Sequence, residues 1–282
     1  MAPPPPATLP LTQRLMRLAE TLQFGWFVGH LTLLFCTLRY GLSYMTFNYY
    51  SRWAQFSYRT AFFAAAATYG IVVYKAFRAR ARTGAKMQGG IVGYLADENV
   101  QYLFMALVWL FSRQIPLALL PFSVYSIFHV LTYTRSNLLP TIQPPATGPA
   151  SPGGRTTFQS SPIQNMIGKF VKEYYDSSMT VVALLEIGLW FRVFLSVLTF
   201  NKGAFLLLAV YTVFFRARFA QSAFVQGAIR QATARVDAIV SQQSTPPAAR
   251  QGWETFKKVV EQAADATDIR RYTSQGAPKK AQ

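Results

Sequence analysis

The chain has 282 residues, 51% of them hydrophobic and 15% aromatic, and carries a formal charge of +17. A soluble domain of this size interleaves charge along its helices, yet Ala61–Tyr74 and Gly203–Phe215 carry none, so the composition excludes an ordinary soluble globular fold. The apolar stretches neither alternate with period two nor recur as ten-residue strands, which excludes an outer-membrane barrel and leaves an all-α integral membrane protein.

Residues 1–22 hold a Pro-rich start, expected to be disordered, and a short amphipathic lead-in from Leu11 to Leu22. No apolar core with a cleavage site precedes the first hydrophobic segment, so that segment is expected to act as an uncleaved signal anchor. It runs from Phe24 to Leu38, or to Met45 if Arg39 is tolerated, and contains the single cysteine, Cys36. Thr46–Tyr58, rich in Tyr, Trp and Phe, is expected to form an interfacial turn. Segment two, Ala61–Tyr74, stops at the basic run Lys75–Lys86.

Segments three (Tyr102–Phe111) and four (Ile115–Tyr133) are joined only by Ser112, Arg113 and Gln114. So short a link demands an antiparallel hairpin, and Pro116 and Pro121 are expected to kink its second arm. Residues 136–163 read as a flexible Pro/Ser/Gly loop. Segments five (Met179–Phe200) and six (Ala204–Phe215) make a third pair around Asn201, Lys202 and Gly203. The domain reading is therefore hairpins one and two in 23–135, the loop, hairpin three in 164–218, and an extramembrane tail.

Most of these stretches are shorter than the roughly 20 residues a spanning helix needs, which points to shallow hairpins with four to six membrane segments; segments one, four and five extend to near 20 residues, so hairpins with one crossing arm are the alternative. With both termini cytosolic, that side carries Arg14, Arg17, Lys75, Arg78, Arg80, Arg82, Lys86, Arg135, Arg155, Lys169, Lys172, Arg216 and Arg218. The opposite side carries Arg52, Arg113 and Lys202, a bias that agrees with three hairpins entering from the cytosol.

In residues 219–243, Phe224, Val225, Ala228, Ile229, Ala232, Val236, Ile239 and Val240 share one helical face, and Arg230 and Arg235 point away. In 244–282, Trp253, Phe256, Val259 and Val260 form a stripe beside Lys257 and Lys258. Such helices lie at a bilayer surface by apolar insertion and attraction to anionic lipid, or pack on the protein's own cytosolic face.

No nucleophile, metal or phosphate-cradle pattern is present, so no enzyme, cofactor or metal is expected. His30 and His129 stand alone in apolar segments. Glu186 is a carboxylate within an apolar stretch and is expected to be paired inside the bundle; Arg192 follows it too far round the helix for a standard pair. A transporter or channel using Glu186, Arg192 and His129 is the alternative. The basic residues flank membrane segments, so nucleic acid is not an expected partner.

The run Asp97-Glu98-Asn99-Val100-Gln101-Tyr102-Leu103, then Ile115-Pro116, Leu120-Pro121-Phe122-Ser123 and Ser126-Ile127-Phe128-His129 to Arg135, resembles the signature of the transmembrane protein 33 and pore membrane protein 33 family. Glu186 in LLEIGLW, the Phe200–Gly203 turn and Tyr211–Arg218 (YTVFFRAR) extend the similarity, which spans Phe24 to Val240 and has a fungal cast in its long loop and Trp253 helix. The resemblance implies residence in the endoplasmic reticulum membrane and nuclear envelope. It also implies roles in tubular reticulum organisation and in nuclear pore complex distribution or assembly, with reticulon-type shapers and nuclear pore components as partners. It attaches no role to His129 or Glu186.

Overall fold

The computed structural model describes residues 8–84, 90–144 and 161–266, and among them the only regular elements are helices. The expected disorder of residues 1–7, most of the 136–163 loop and the end of the tail lie outside the described residues. Two compact units emerge. One holds the chain up to Ala76 with Tyr102–Ser178; the other holds Phe77–Gln101 and the chain from Met179 onward.

In the first unit, α1 (Leu11–Ala19) and α2 (Leu22–Met45) meet at 80°. The break falls at Thr21, whose hydroxyl accepts from the Phe24 amide at 3.1 Å and so caps α2. The second arm, α3 (Arg52–Thr83), starts earlier and ends later than its apolar stretch, so the expected Thr46–Tyr58 turn shrinks to the residues between Met45 and Arg52. Nothing in either polar flank breaks a helix, and backbone hydrogen bonding continues through them. Gly29 lets the two arms close: a Cβ there would lie 2.5 Å from Thr68 Cγ2.

Helix α4 (Gly90–Leu95) belongs to the second unit, and α5 (Glu98–Phe111) leads into the hairpin with α6 (Leu119–Tyr133). The prolines do not kink α6. Pro116 opens a 3-10 turn, Pro116–Ala118, and Pro121 sits in the first turn of α6, where its missing N–H is one the helix would leave unpaired anyway. After a π turn, Thr134–Leu138, helix continues as α7 (Leu139–Ile142), beyond the expected loop start at 136.

Helix α6 packs on α2 through polar pairs, Ser123 Oγ to Thr37 Oγ1 at 3.2 Å and Ser126 Oγ to His30 Nδ1 at 2.8 Å. Around them Phe62, Tyr69, Tyr102 and Phe122 interlock edge to face or stacked. The remaining helices are α8 (Pro162–Leu198), α9 (Ala204–Gln221), α10 (Ala223–Val240) and α11 (Pro247–Ala266).

Helix lengths weigh toward crossing arms over shallow hairpins and agree with four to six membrane segments. At 1.5 Å per residue, the 32 residues of α3 and the 37 of α8 reach about 48 and 55 Å, against a hydrocarbon core of about 30 Å. Four helical stretches are long and apolar enough to cross: α3, Pro116–Ile142, α8 and α9, with a fifth if bent α1 and α2 count as one. The 14 residues of α5 reach only about 21 Å. The apolar run Ala61–Tyr74 is the middle part of the longer α3, and the run that starts at Met179 fills the second half of α8.

Candidate functional site

Three of the sequence blocks that carry the family resemblance, Asp97–Leu103, LLEIGLW and Tyr211–Arg218, each supply a charged residue to a single cluster in the second unit. Glu186 on α8 is 1% exposed, and Arg218 near the end of α9 donates Nε to its two carboxylate oxygens at 3.3 and 3.4 Å. Arg218 Nη1 lies 3.0 Å from Oε1 of Glu98, whose side chain is about half exposed in the first turn of α5. An acid there also faces the positive end of the helix dipole. Tyr211 of α9, fully buried, donates its hydroxyl to the Glu186 carbonyl at 3.1 Å.

The segment before α5 is tied to the same place. Asp97 Oδ1 accepts from the Asn99 amide at 2.9 Å, an N-cap for α5, while Asp97 Oδ2 stands 3.6 Å from Arg80 Nη2. Gln221 Nε2 donates to the Ala96 carbonyl at 2.8 Å. Glu186 is thus paired within the helices, and its partner is Arg218, not Arg192. Sequence reasoning assigned Arg218 to the basic flank of segment six. The clue was available in the recurrence of charged residues inside the three blocks.

The other intramembrane residues fall elsewhere. His129 sits 4.7 Å from His30 and 4.9 Å from Trp26, ring to ring, in the first unit. Arg39 donates Nη1 to Ser43 Oγ at 2.6 Å, and Arg192 makes the matching bond to Ser196 Oγ. Arg59 Nη1 donates to the carbonyls of Trp109 and Leu110, closing the C-terminal end of α5. No group of three or more His, Cys, Asp or Glu side chains that could hold a metal occurs among the described residues.

The tail divides in two. The first half of α10 packs inward: Val225 and Ala228 are buried with Ala183, and Phe224 and Ile229 pack on that cluster beside Ile187, Phe215 and Phe219. Arg230 is exposed. Phe224 and Ile229, partly buried, thus pack on an apolar surface of hairpin three, the packing alternative to an interfacial role. Helix α11 is held by one edge. Trp253 Nε1 donates to Asp237 Oδ1 at 2.6 Å, Lys257 Nζ donates to the same oxygen at 2.9 Å, and Arg216 Nη2 donates to the Ala264 carbonyl at 2.6 Å. Trp253 and Lys257 thus turn toward α10, while Phe256, Val259, Val260 and Lys258 remain exposed. The Trp253 and Lys257 bonds hold the Asp237 carboxyl below its usual range; Glu254 and Asp237 raise the Lys257 ammonium above its own.

Long apolar helices, a buried ion pair between them and an amphipathic helix resting on one edge define a multi-pass, all-α integral membrane protein. The chain belongs to the Transmembrane protein 33/Nucleoporin POM33 family, whose model matches residues 4–266. It is 54% identical to Nucleoporin POM33 of Chaetomium thermophilum over 99% of each chain. Identity is 31% to Tetra-spanning protein 1 of Schizosaccharomyces pombe, over 92% of this chain and 90% of the relative. It is also 31% to Pore membrane protein of 33 kDa of Saccharomyces cerevisiae, over 88% and 85%. No solved structure matches.

Proposed function

We propose that the chain is a non-enzymatic membrane scaffold of the endoplasmic reticulum and nuclear envelope, with both termini cytosolic. It supports tubular reticulum organisation and the distribution or assembly of nuclear pore complexes by hairpin insertion and amphipathic-helix binding, alongside reticulon-type proteins and nuclear pore components. The names of its relatives, a nucleoporin, a tetra-spanning protein and a pore membrane protein, support this reading.

The observation that carries it is the half-docked state of α11. Trp253 and Lys257 fasten the helix, and Phe256, Val259 and Val260 are left on its open side. An apolar stripe on a surface helix beside membrane spans fits the packing defects of a curved leaflet. Arg250, Lys257 and Lys258 are balanced on α11 by Glu254, Glu261 and Asp265. Apolar insertion therefore drives this helix, and attraction to anionic lipid falls to Arg270, Arg271, Lys279 and Lys280 of the following tail. No observation favours the transporter alternative, since Glu186 is occupied by Arg218.

Reconstitution of the full chain into vesicles of mixed size tests the proposal. Enrichment on small vesicles, and narrowing of large ones at high protein density, is expected, with enrichment reduced by Phe256→Glu combined with Val260→Glu. Equal partition across sizes and unchanged vesicle shape would overturn it.

A further inference from the structure

The turns that close the first and third hairpins are the same turn. Arg39, Ser43, Thr46, Phe47 and Asn48 recur in register as Arg192, Ser196, Thr199, Phe200 and Asn201, the pattern R-x3-S-x2-T-F-N. Their hydrogen bonds repeat as well. Each serine hydroxyl donates to the arginine carbonyl one turn back, at 3.3 and 3.1 Å, and accepts from that arginine's Nη1. Each threonine hydroxyl bonds the carbonyl four residues before it, at 3.0 and 3.1 Å. Each asparagine amide reaches back to the serine carbonyl, at 2.8 and 3.0 Å.

What this bonding holds is unusual. Phe47 and Phe200 lie in the left-handed region, with φ of 56° and 52°, and their side chains are 85% and 95% exposed. A bulky residue adopts that conformation only where its surroundings impose it, and here it presents an aromatic ring at the tip of a membrane hairpin.

The arginines lie eight residues, about 12 Å, behind the tips. Exposed apolar side chains flank each one on its helix, Leu38 and Leu42 beside Arg39, Phe191 and Leu195 beside Arg192. Among the described residues each guanidinium has one hydrogen-bond partner, its serine. A guanidinium carries five donors, and on a lipid-facing stripe the remaining ones need an acceptor. The charge distribution puts both turns on the side away from the basic ends of the helices, so the acceptor at that depth is the far leaflet's headgroup layer.

We propose that each turn is a phospholipid anchor in that leaflet. Arg39, steadied by Ser43, and Arg192, steadied by Ser196, each bind one lipid phosphate, for which the planar guanidinium is matched in shape and charge. Phe47 and Phe200 insert at the boundary between headgroups and acyl chains, where aromatic rings collect.

Native mass spectrometry of the full chain in detergent, with phosphatidylcholine or a diacylglycerol of the same acyl chains added, reads the sites directly. Both lipids share their tails, and phosphatidylcholine has no net charge, so preference between them reports the phosphate alone. The expected result is that wild type retains phosphatidylcholine over diacylglycerol, that Arg39→Gln and Arg192→Gln each lose one retained lipid, and that the double variant loses both. Arg52→Gln and Lys202→Gln, equal charge losses near the same turns, leave retention unchanged. Equal retention in the double variant and wild type, or equal loss in the controls, would overturn the proposal.

A second measurement leaves the arginines intact. The chain has one cysteine, so a nitroxide at Phe47→Cys or Phe200→Cys in a Cys36→Ala background reports depth in a reconstituted bilayer. More collision with oxygen than with a water-soluble nickel reagent is expected, and full access to nickel with none of the oxygen preference would refute insertion. Neither readout depends on vesicle curvature, so the anchor and the scaffold function can fail separately.

Discussion

Hairpin one, α2 with α3, and hairpin three, α8 with α9, are built on one template and use their interiors differently. In the register set by the shared turn, Tyr58 of α3 matches Tyr211 of α9 and Phe62 matches Phe215. Leu33 and Ala65, both fully buried, match Glu186 and Arg218. An apolar pair in the first copy stands where the second has an ion pair. The hairpin itself therefore does not require charge. The ion pair gives hairpin three a receptor for Glu98, so that the segment opening α5 is fixed to α8 and α9. Hairpin one binds its neighbouring turn with a neutral group instead: Tyr58 accepts from the Ile115 amide at 3.1 Å.

The largest effect should come from halving the ion pair. Arg218→Ala leaves Glu186 buried without its counter-charge, and breaking a buried pair this way costs about 3 to 5 kcal/mol. A large fall in the unfolding temperature of the detergent-solubilised protein is expected. Glu186→Leu with Arg218→Ala installs the pairing of hairpin one, and most of the loss should return, since apolar replacements of buried ion pairs are often nearly neutral. If the double variant is as unstable as the single one, the two hairpins are not equivalent at these positions and the comparison fails.

Next in size are the two tyrosines. Tyr58→Phe leaves the buried Ile115 amide without its acceptor, at about 1 to 3 kcal/mol. In Tyr211→Phe the Glu186 carbonyl loses a donor but stays within α8, so a net cost of about 1 kcal/mol is expected. Chemical unfolding of both variants should rank Tyr58→Phe as the more damaging. The reverse order would mean that the ion cluster, not the helix, depends on the Tyr211 hydroxyl.

The all-α membrane class was legible in the uncharged runs Ala61–Tyr74 and Gly203–Phe215, because the helices of a soluble domain of this size interleave charge. The pairing of Glu186 was legible too, since a buried carboxylate needs a counter-charge. Its partner was not: Arg218 sits where a basic flank belongs, and the pairing bridges two helices, beyond any local spacing rule. The length of α3 was missed because hydropathy marks only its apolar middle, while backbone hydrogen bonding continues through Arg52–Thr60 and Lys75–Thr83. The R-x3-S-x2-T-F-N repeat stood in plain letters. A search for internal repeats before segment assignment finds it.

The smallest effect belongs to the outer layer of the second unit, where the charges are exposed and screened. Asp237 is the hinge of the α11 contact, bonded to Trp253 and Lys257. Its carboxyl is held below the usual range, so its contribution is present above the ordinary carboxylate pKa and is lost as pH falls through the lowered value. Lys257 is raised, so its contribution is present below the ordinary lysine pKa and is lost as pH rises through the raised value. Both conditions hold together from about pH 5 to about pH 9. Across that window, trypsin cleavage at Arg250, Lys257 and Lys258 should stay slow, and accelerate in Asp237→Asn. Cleavage that varies between pH 6 and 8 by more than that of an unstructured control peptide treated alongside it would place the control of α11 in a group other than this pair. A buried ion pair and an exposed one would then differ in kind, not only in strength.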